Sequence, residues 1–503
     1  MIELSRENNV EILRQAALIL DQENKKLITK VMQLTREVLS LKGEPQMDLA
    51  FRLEQLEQQL ALRNKKLFGD SSEKRSGEAE PNAEQKAARK GHGPREQPEL
   101  PIVEEIHKLD AADQACPKCG GQLLEWAGQF EESEETDFVE RRFFVRKHKR
   151  QKYRCKCGGC IETALGAPKL TAGGRYSVEF AVHVAVSKYL DHLPLERQVR
   201  IMGRQGLRID SQTLWDQIEA LCRHLKPAYE AIQAYVLSHP VIGADETHWK
   251  LMGKKGADDR EAKRWQVWAL AAPDAVSYAF EDSRSMTAAE RVLGKYQGIV
   301  MADGYATYQG LQKEGGAFTL AHCWAHVRRK FVEIEEFFPA EATAAIDIIG
   351  ELYAVEKLCP AGPAGDELRH QLRAERSREI IRRLQAWALS VRALPMSGLG
   401  KAIAYMSGLW PGLTRFLDDP TIPLDNNATE RALRGIVVGR KNHYGSRSRR
   451  GTEVAALLYS LCESAKLNGI DPANYLSAAT SCALRGERIP LPHELVKLAS
   501  AAA

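Results

Sequence analysis

The residues of this sequence that could do chemistry are concentrated between Asp425 and Arg450, where one carboxylate stands among many cations. Seven Lys or Arg residues follow Glu430, with no further Asp or Glu until Glu453. The basic residues could bind a phosphate backbone while Glu430 binds a metal ion beside it. The alternative is a capping box, in which Asn427 is the N-cap and Glu430 folds back to its N–H. Metal chemistry needs further carboxylates, so the choice depends on the rest of the chain.

Two further carboxylates could complete such a metal site, because Asp245 and Asp303 each end a strand-like apolar run. Two more strand-like runs (264–272 and 276–281) and a helix (287–296) lie between them. This order of elements is expected of an α/β core of the RNase H-like type with a mixed sheet. Taken singly, Asp245 could be only a strand-end residue, and Asp303 could belong to an Asp-Gly turn.

Three carboxylates together form an oxygen ligand set, which suits Mg²⁺ or Mn²⁺. Two such ions about 4 Å apart can hold both the attacking and the leaving oxygen of a phosphoryl displacement. The sequence therefore favours metal-dependent phosphoryl transfer, with the ligands Asp245, Asp303 and Glu430.

Length and composition limit the other possibilities. A chain of 503 residues has room for roughly three to four domains. Its net charge is only +4, so binding of nucleic acid must rest on local basic clusters. The sequence has no signal peptide and no apolar run near 18 residues, which favours a cytoplasmic protein without a membrane partner.

Residues 1–68 show the spacing of a leucine zipper. Asn24 occupies a core position of the same heptads, a pattern typical of a parallel two-stranded coiled coil. We therefore expect a homodimer or higher oligomer, although one amphipathic helix packed on its own core would show similar spacing. A polar, flexible linker is expected over residues 69–98. The heptad leucines are Leu13, Leu20, Leu27, Leu34 and Leu41.

Two Cys-x₂-Cys pairs, some 38 residues apart, suit a tetrahedral zinc site in a zinc-ribbon-like domain over residues 99–172. Cys155 could replace the first cysteine of the second pair. Between the pairs, residues 141–156 carry nine Lys or Arg and three aromatic residues, which predicts a cationic strand able to contact phosphates. The alternative is a solvated strand neutralised by the acidic residues 131–140. The expected zinc ligands are Cys116, Cys119, Cys157 and Cys160.

Residues 173–236 are predicted to be helical, and the stretch around Gly206 resembles a helix-turn-helix. Its second helix should begin near Asp210 or Ser211. Many ordinary helical hairpins would match this pattern equally well. Further on, the distance between the strand-like runs and Glu430 is too long for a simple connection, so we expect a helical insertion at about 337–420.

Several motifs, in order, resemble those of the insertion sequence 66 family of DDE transposases. They are GADETHW, MADGYATY, CWAHVRRKF, DNNATERALR and GRKNHYGS. The order of parts is similar too, and the resemblance covers essentially the whole chain. It implies an RNase H-like core over 237–452 that contains the helical insertion, followed by a helical C-terminal tail over 453–503.

The resemblance implies a bacterial transposase that binds the terminal inverted repeats of its element and cuts and joins DNA strands with Mg²⁺ or Mn²⁺. Asp245, Asp303 and Glu430 would be its catalytic residues. Its partners would be double-stranded DNA of the transposon ends and target, a second copy of the chain, and accessory proteins of the same element. The rival interpretations are a DNA-binding regulator with an inactive core and an RNase H-like nuclease that does not transpose. The expected DNA contacts are Arg329, Arg434, Arg440, Lys441 and Arg447.

Overall fold

A computed structural model describes the chain at Lys118 and over residues 143–154, 161–252 and 263–496. The predicted coiled coil and linker lie outside the described residues, as does the acidic segment 131–140. The same holds for the cysteines expected to bind zinc. All elements named below belong to one structural unit, and almost nothing of the second unit, residues 74–143, is described.

A five-stranded mixed sheet forms the centre of the described chain. From one edge to the other, its strands are β5 (Val276–Glu281), β4 (Lys263–Ala271), β3 (Val241–Leu251), β6 (Ile299–Ala302) and β7 (Thr319–His322). The central strand β3 pairs antiparallel with β4 and parallel with β6, and β6 pairs parallel with β7. The mixed sheet expected for the core is therefore confirmed, and its strands follow one another along the chain as predicted.

The edge strand β5 is covered by a helix near the C-terminal end of the described chain. The N–H groups of Val276 and Tyr278 donate to the hydroxyls of Ser464 and Ser460, at 3.0 and 2.9 Å. Both serines lie one helical turn apart on α12 (Arg449–Leu467). An uncovered strand edge exposes unpaired polar groups that recruit other chains. The helix therefore closes this edge of the sheet.

Within the described part of the chain, three helices precede the sheet, as the sequence predicts for residues 173–236. They are α1 (Val178–Tyr189), α2 (Leu195–Arg204) and α3 (Ser211–Leu237). Gly206 turns the chain with φ of 87°, and Asp210 caps α3 by accepting a hydrogen bond from the Thr213 N–H at 2.7 Å. A short antiparallel hairpin lies before them, formed by β1 (Lys152–Arg154) and β2 (Ile161–Thr163). DNA recognition by the α2–α3 pair stays a prediction.

The remaining helices include the expected insertion. Around the sheet lie α4 (Met286–Leu293), α5 (Ala306–Lys313) and α6 (Trp324–Val332). The insertion consists of α7 (Pro339–Glu356), α8 (Asp366–Leu372), α9 (Arg378–Ser390) and α10 (Gly398–Thr414). After it come α11 (Asn427–His443), α12 and α13 (Pro472–Leu484). The apolar residues of the insertion and of α6 share one core with β6 and β7.

A buried arginine ties the insertion together. Arg373 is 1% exposed and donates to both carboxylate oxygens of Glu356, at 2.7 and 2.9 Å. It also donates to the backbone oxygens of Phe416 and Asp419. A buried charge needs this degree of compensation. The arginine therefore fixes the ends of the insertion helices relative to one another.

Within the described residues, no helix combines the length and the apolar character that crossing a membrane requires.

Candidate active site

Asp245 lies inside strand β3 rather than at its end. The sequence predicted that the strand would end there, but it continues to Leu251 because β4 pairs with its whole second half. The parallel pairing with β6 stops earlier, at Gly243. Asp245 therefore stands just beyond the end of the parallel pairing, where the sheet opens on that side. Its Oδ1 accepts a hydrogen bond from the Glu246 N–H at 2.8 Å.

Asp303 directly follows β6, as the sequence predicts. Its Oδ1 accepts a hydrogen bond from the Tyr305 N–H at 2.9 Å, which tightens the turn. Gly304 has φ of 88°, which L side chains rarely adopt, and a Cβ there would lie 2.7 Å from the Leu409 side chain of α10, which would have to shift. Tyr405, also on α10, donates to the Asp303 backbone oxygen at 2.5 Å. The insertion thus holds this acid in place.

Glu430 reaches the site because the start of α11 packs directly on β3. A side chain at Gly243 would overlap Thr429 and Asn426, so only glycine permits this approach. The buried Asn426 also donates from Nδ2 to the Ala244 backbone oxygen at 2.8 Å. These contacts bring the first turn of α11 next to the strand segment that carries Asp245.

The capping-box interpretation is wrong. The N-cap is Asn426 rather than Asn427, and its side chain makes no capping hydrogen bond because it binds β3. The buried Oε1 of Glu430 has no hydrogen-bond partner in the described structure. A capping glutamate would accept the N-cap N–H. The carboxylate is therefore available to a ligand.

The three acids influence one another electrostatically. Burial, followed by the negative charges of Glu246, Asp303 and Glu430, raises the pKa of Asp245 to about 7. Neighbouring carboxylates with an unsatisfied buried oxygen suit a hard divalent cation, which prefers oxygen ligands. The donor set therefore fits Mg²⁺ or Mn²⁺.

A fourth carboxylate, Glu246, is fully engaged within the fold. Its side chain is 2% exposed, forms an ion pair with Arg284, and accepts a hydrogen bond from the Tyr308 hydroxyl at 3.2 Å. Arg284 also lies over the ring of Tyr305, 4.1 Å from its centroid. These partners satisfy the Glu246 carboxylate within the fold, whereas the side chain of the adjacent Asp245 has no such partners among the described residues apart from one backbone N–H. No local sequence pattern indicated the partners of Glu246.

Two residues of the CWAHVRRKF motif lie beside Glu430. The Nε2 of His326 is 3.5 Å from Glu430 Oε1. Cys323 accepts a hydrogen bond at its sulfur from the Asn426 N–H at 3.2 Å, while burial raises its pKa to about 11. The sequence analysis gave these residues no role, although the Cys-x₂-His spacing was a usable signal.

The expected DNA-binding residues fall into two groups. Arg434 and Lys441 are exposed and lie within about 40° of Glu430 around the axis of α11, so they share its face. Arg447 is exposed beyond the helix. Arg440 is instead directed at β3, where it donates to Thr247 Oγ1 at 3.1 Å and to the His248 backbone oxygen. Arg329 is half-buried on α6.

Comparison with known families decides the identity of the chain. The model of the Transposase IS66 family matches residues 173–454. The chain belongs to this family. A second model, the zinc-finger binding domain of transposase IS66, matches residues 113–158 of the same transposase-family chain. That match includes Cys155 and Cys157 and stops before Cys160.

Relatives of this IS66-family protein occur in Sinorhizobium fredii. The uncharacterized protein y4jD is 34% identical over 412 residues, which are 78% of each chain. The uncharacterized protein y4qI is 31% identical over 363 residues, covering 69% of this chain and 66% of the relative. Among solved structures, the Drosophila P element transposase strand transfer complex matches with a TM-score of 0.31 and 11% identity. The match covers 57% of this chain and 93% of that one.

Proposed function

We propose that this IS66-family protein is an active DDE transposase. It cuts DNA at the terminal inverted repeats of its element and joins the freed 3′-OH to target DNA. What supports the proposal is the electrostatic proximity of three carboxylates, from β3, from the end of β6 and from the first turn of α11. Burial raises the pKa of Asp245 most, and the charges of Glu246, Asp303 and Glu430 contribute to the rise, which suits a site for divalent cations.

The chain's own residues would organise the reaction. Asp245, Asp303 and Glu430 would hold the cations, which when bound supply Lewis-acid stabilisation of the attacking and leaving oxygens. The start of α11 directs its positive dipole end toward the same place, which favours a phosphate there. Catalysis would then rest on positioning and charge stabilisation, without a covalent protein–DNA intermediate.

The face of α11 would guide the DNA backbone to the acids. Arg434 and Lys441 follow Glu430 along this face, so a strand lying on the helix would meet phosphate-binding cations next to the cleavage site. The β1 strand and the residues before it add a second basic surface, in which Phe144 and Tyr153 are exposed. Exposed aromatic rings among cations are typical of nucleic-acid surfaces.

The other parts would assemble and anchor the transposase. Residues 1–68 would form a helical arm whose heptads, up to Leu41, are the coiled coil of a homodimer or higher oligomer. The protein would work in the bacterial cytoplasm with accessory proteins of the element where these are needed. Zn²⁺ would be bound by Cys116 and Cys119 together with a second pair. That pair would be Cys157 and Cys160, with Cys155 as the alternative to Cys157, and the zinc-finger match over residues 113–158 supports a zinc site in this part of the chain.

The proposal is tested with purified protein, a duplex that carries the element's end, and Mg²⁺. Nicking followed by strand transfer is the expected result. Cutting without joining would instead identify a nuclease, and binding without cutting would identify a regulator. Asp303→Asn should remove both activities, whereas the matched control Asp282→Asn, at an acid 67% exposed, should keep them.

A further inference from the structure

A second group of metal-ligand atoms adjoins the acidic triad. Cys323, His326 and Glu430 each offer one ligand atom, and these three atoms lie within 4.8 Å of one another. The first two come from the start of α6 at Cys-x₂-His spacing, and the third comes from α11. The separation of His326 Nε2 and Glu430 Oε1 is 3.5 Å.

These atoms converge without being hydrogen-bonded to one another. Glu430 Oε1 is buried and has no hydrogen-bond partner, although the imidazole nitrogen is close. Two ligands of a tetrahedral zinc ion, bound at about 2.1 Å, would stand about 3.4 Å apart. The observed separation of 3.5 Å agrees with this spacing. The Cys323 sulfur lies within 4.8 Å of both atoms and would have to move closer to bind the same ion.

The surroundings fix this group in place. The Trp324 N–H donates to the Leu424 backbone oxygen at 2.9 Å, and its indole N–H donates to the Leu413 backbone oxygen at 2.8 Å. The start of α6 is thereby held against the chain that leads into α11. The backbone N–H of Asn426 donates to the Cys323 sulfur, a contact that also supports a metal-bound thiolate.

We infer that Cys323, His326 and Glu430 form a binding site for a thiophilic divalent cation such as Zn²⁺, distinct from the expected oxygen-ligand site. Sulfur and imidazole ligands favour zinc, whereas Mg²⁺ prefers carboxylates and water. Binding releases the thiol proton of Cys323 to solvent. Because Glu430 belongs to both ligand sets, zinc at this site withdraws it from Asp245 and Asp303. Zinc therefore inhibits DNA cleavage, a consequence that rests on the proposed function.

The site itself is tested by counting tightly bound zinc on the full chain after dialysis. Wild type should bind two equivalents, one at the N-terminal cysteines and one here. Cys323→Ser should bind one, and the control Cys359→Ser, at a half-buried thiol of the insertion, should bind two. Cobalt in place of zinc should give a charge-transfer absorption that decreases in Cys323→Ser only. Should Cys323→Ser fail to fold, His326→Gln is measured in the same way.

Equal zinc content in wild type and both folded variants would overturn the site and identify the group as a simple His–Glu ion pair. Inhibition is then measured in Mg²⁺ by titrating zinc, with each variant compared with its own zinc-free rate. Cys323→Ser should need at least about tenfold more zinc for half inhibition. If wild type and Cys323→Ser are inhibited at the same zinc concentration, zinc at this site does not inhibit cleavage, and the zinc count above still decides whether the site binds zinc. Absence of cleavage in wild type under zinc-free Mg²⁺ would instead count against the proposed function.

Discussion

The molecule buries charge in two contrasting ways. In the insertion, Arg373 is matched on every side by Glu356 and by backbone oxygens. In the candidate active site, acids from three elements are brought together, and one buried oxygen of Glu430 has no hydrogen-bond partner. The first arrangement leaves no buried charge uncompensated, whereas the second places acids together without such compensation, as expected of the proposed cation site.

The same contrast exists within two adjacent residues. Glu246 is neutralised by Arg284 and hydrogen-bonded by Tyr308, while Asp245 receives one backbone hydrogen bond and repulsion from its neighbours. Burial alone therefore does not distinguish an acid that serves the fold from one proposed to bind a metal ion. The number and charge of the partners do.

The largest effect is expected from neutralising the unmatched acids. Asp245→Asn, Asp303→Asn and Glu430→Gln should each lower strand cleavage by about 10³-fold or more, because bound ions supply several kcal/mol of transition-state stabilisation. Cleavage and DNA affinity are measured on the same duplex, and affinity should hold or rise as repulsion of phosphate falls.

Glu430→Gln also separates catalysis from capping. A capping role would loosen the helix by about 1 kcal/mol and keep most of the activity. Since no capping hydrogen bond is present, we expect unchanged stability with activity lost. Full strand transfer by this variant would assign the third ligand to another acid, and full activity in all three variants would end the transposase mechanism proposed here.

Breaking the matched pair should affect stability instead. Arg373→Met leaves Glu356 without its main partner and should lower the free energy of unfolding by about 3–5 kcal/mol. Urea-induced unfolding measures this change, and the folded fraction should still cleave DNA. The exposed pair of Arg382 and Glu379 provides the control, because Arg382→Met should change stability by less than about 1 kcal/mol. If Arg373→Met lowers the free energy of unfolding no more than Arg382→Met does, the stability of the insertion does not depend on Arg373.

The unmatched site should also make stability depend on pH. The folded pKa of Asp245, raised to about 7 mainly by burial, lies above its unfolded value of 3.8. The stabilising contribution of its protonated form is complete below pH 4 and is lost as the pH rises to about 7. In chelator, Asp245→Asn should therefore gain stability relative to wild type across this range, by up to about 4 kcal/mol. A difference in the free energy of unfolding between Asp245→Asn and wild type that stays constant from pH 4 to 8 would contradict the raised pKa. Mg²⁺ should reduce this difference.

The smallest effects concern the cations. Arg434→Ala and Lys441→Ala should weaken DNA binding for all sequences and flatten its salt dependence by about one unit for each lost phosphate contact. The control Lys313→Ala, at the end of α5, should leave the slope unchanged. Arg440→Ala should additionally lower stability by about 1–3 kcal/mol, because its guanidinium binds β3. A salt slope unaltered in the first two variants would remove α11 from the DNA surface.

Local pattern was sufficient for much of the fold. Apolar runs with intervening turn residues gave the order of the strands, and Asp210 at the start of α3 marked a helix boundary that the structure confirms. The acids themselves were recognisable by type and by position beside strands. The length of β3 could not be predicted in this way, because its second half is mostly polar and is a strand only because it pairs with β4.

Local sequence was enough to place the carboxylates, cations and cysteines on their helices and strands, because helix and strand periodicity depends on neighbouring residues. What each of these side chains faces depends on how the elements pack. Because residue 243 is glycine, the start of α11 can pack on β3, and this places Glu430 near Asp245 and His326. Arg440, on the same helix, is directed at β3. Such contacts join residues far apart in the chain, and they depend on shape complementarity that no local pattern encodes.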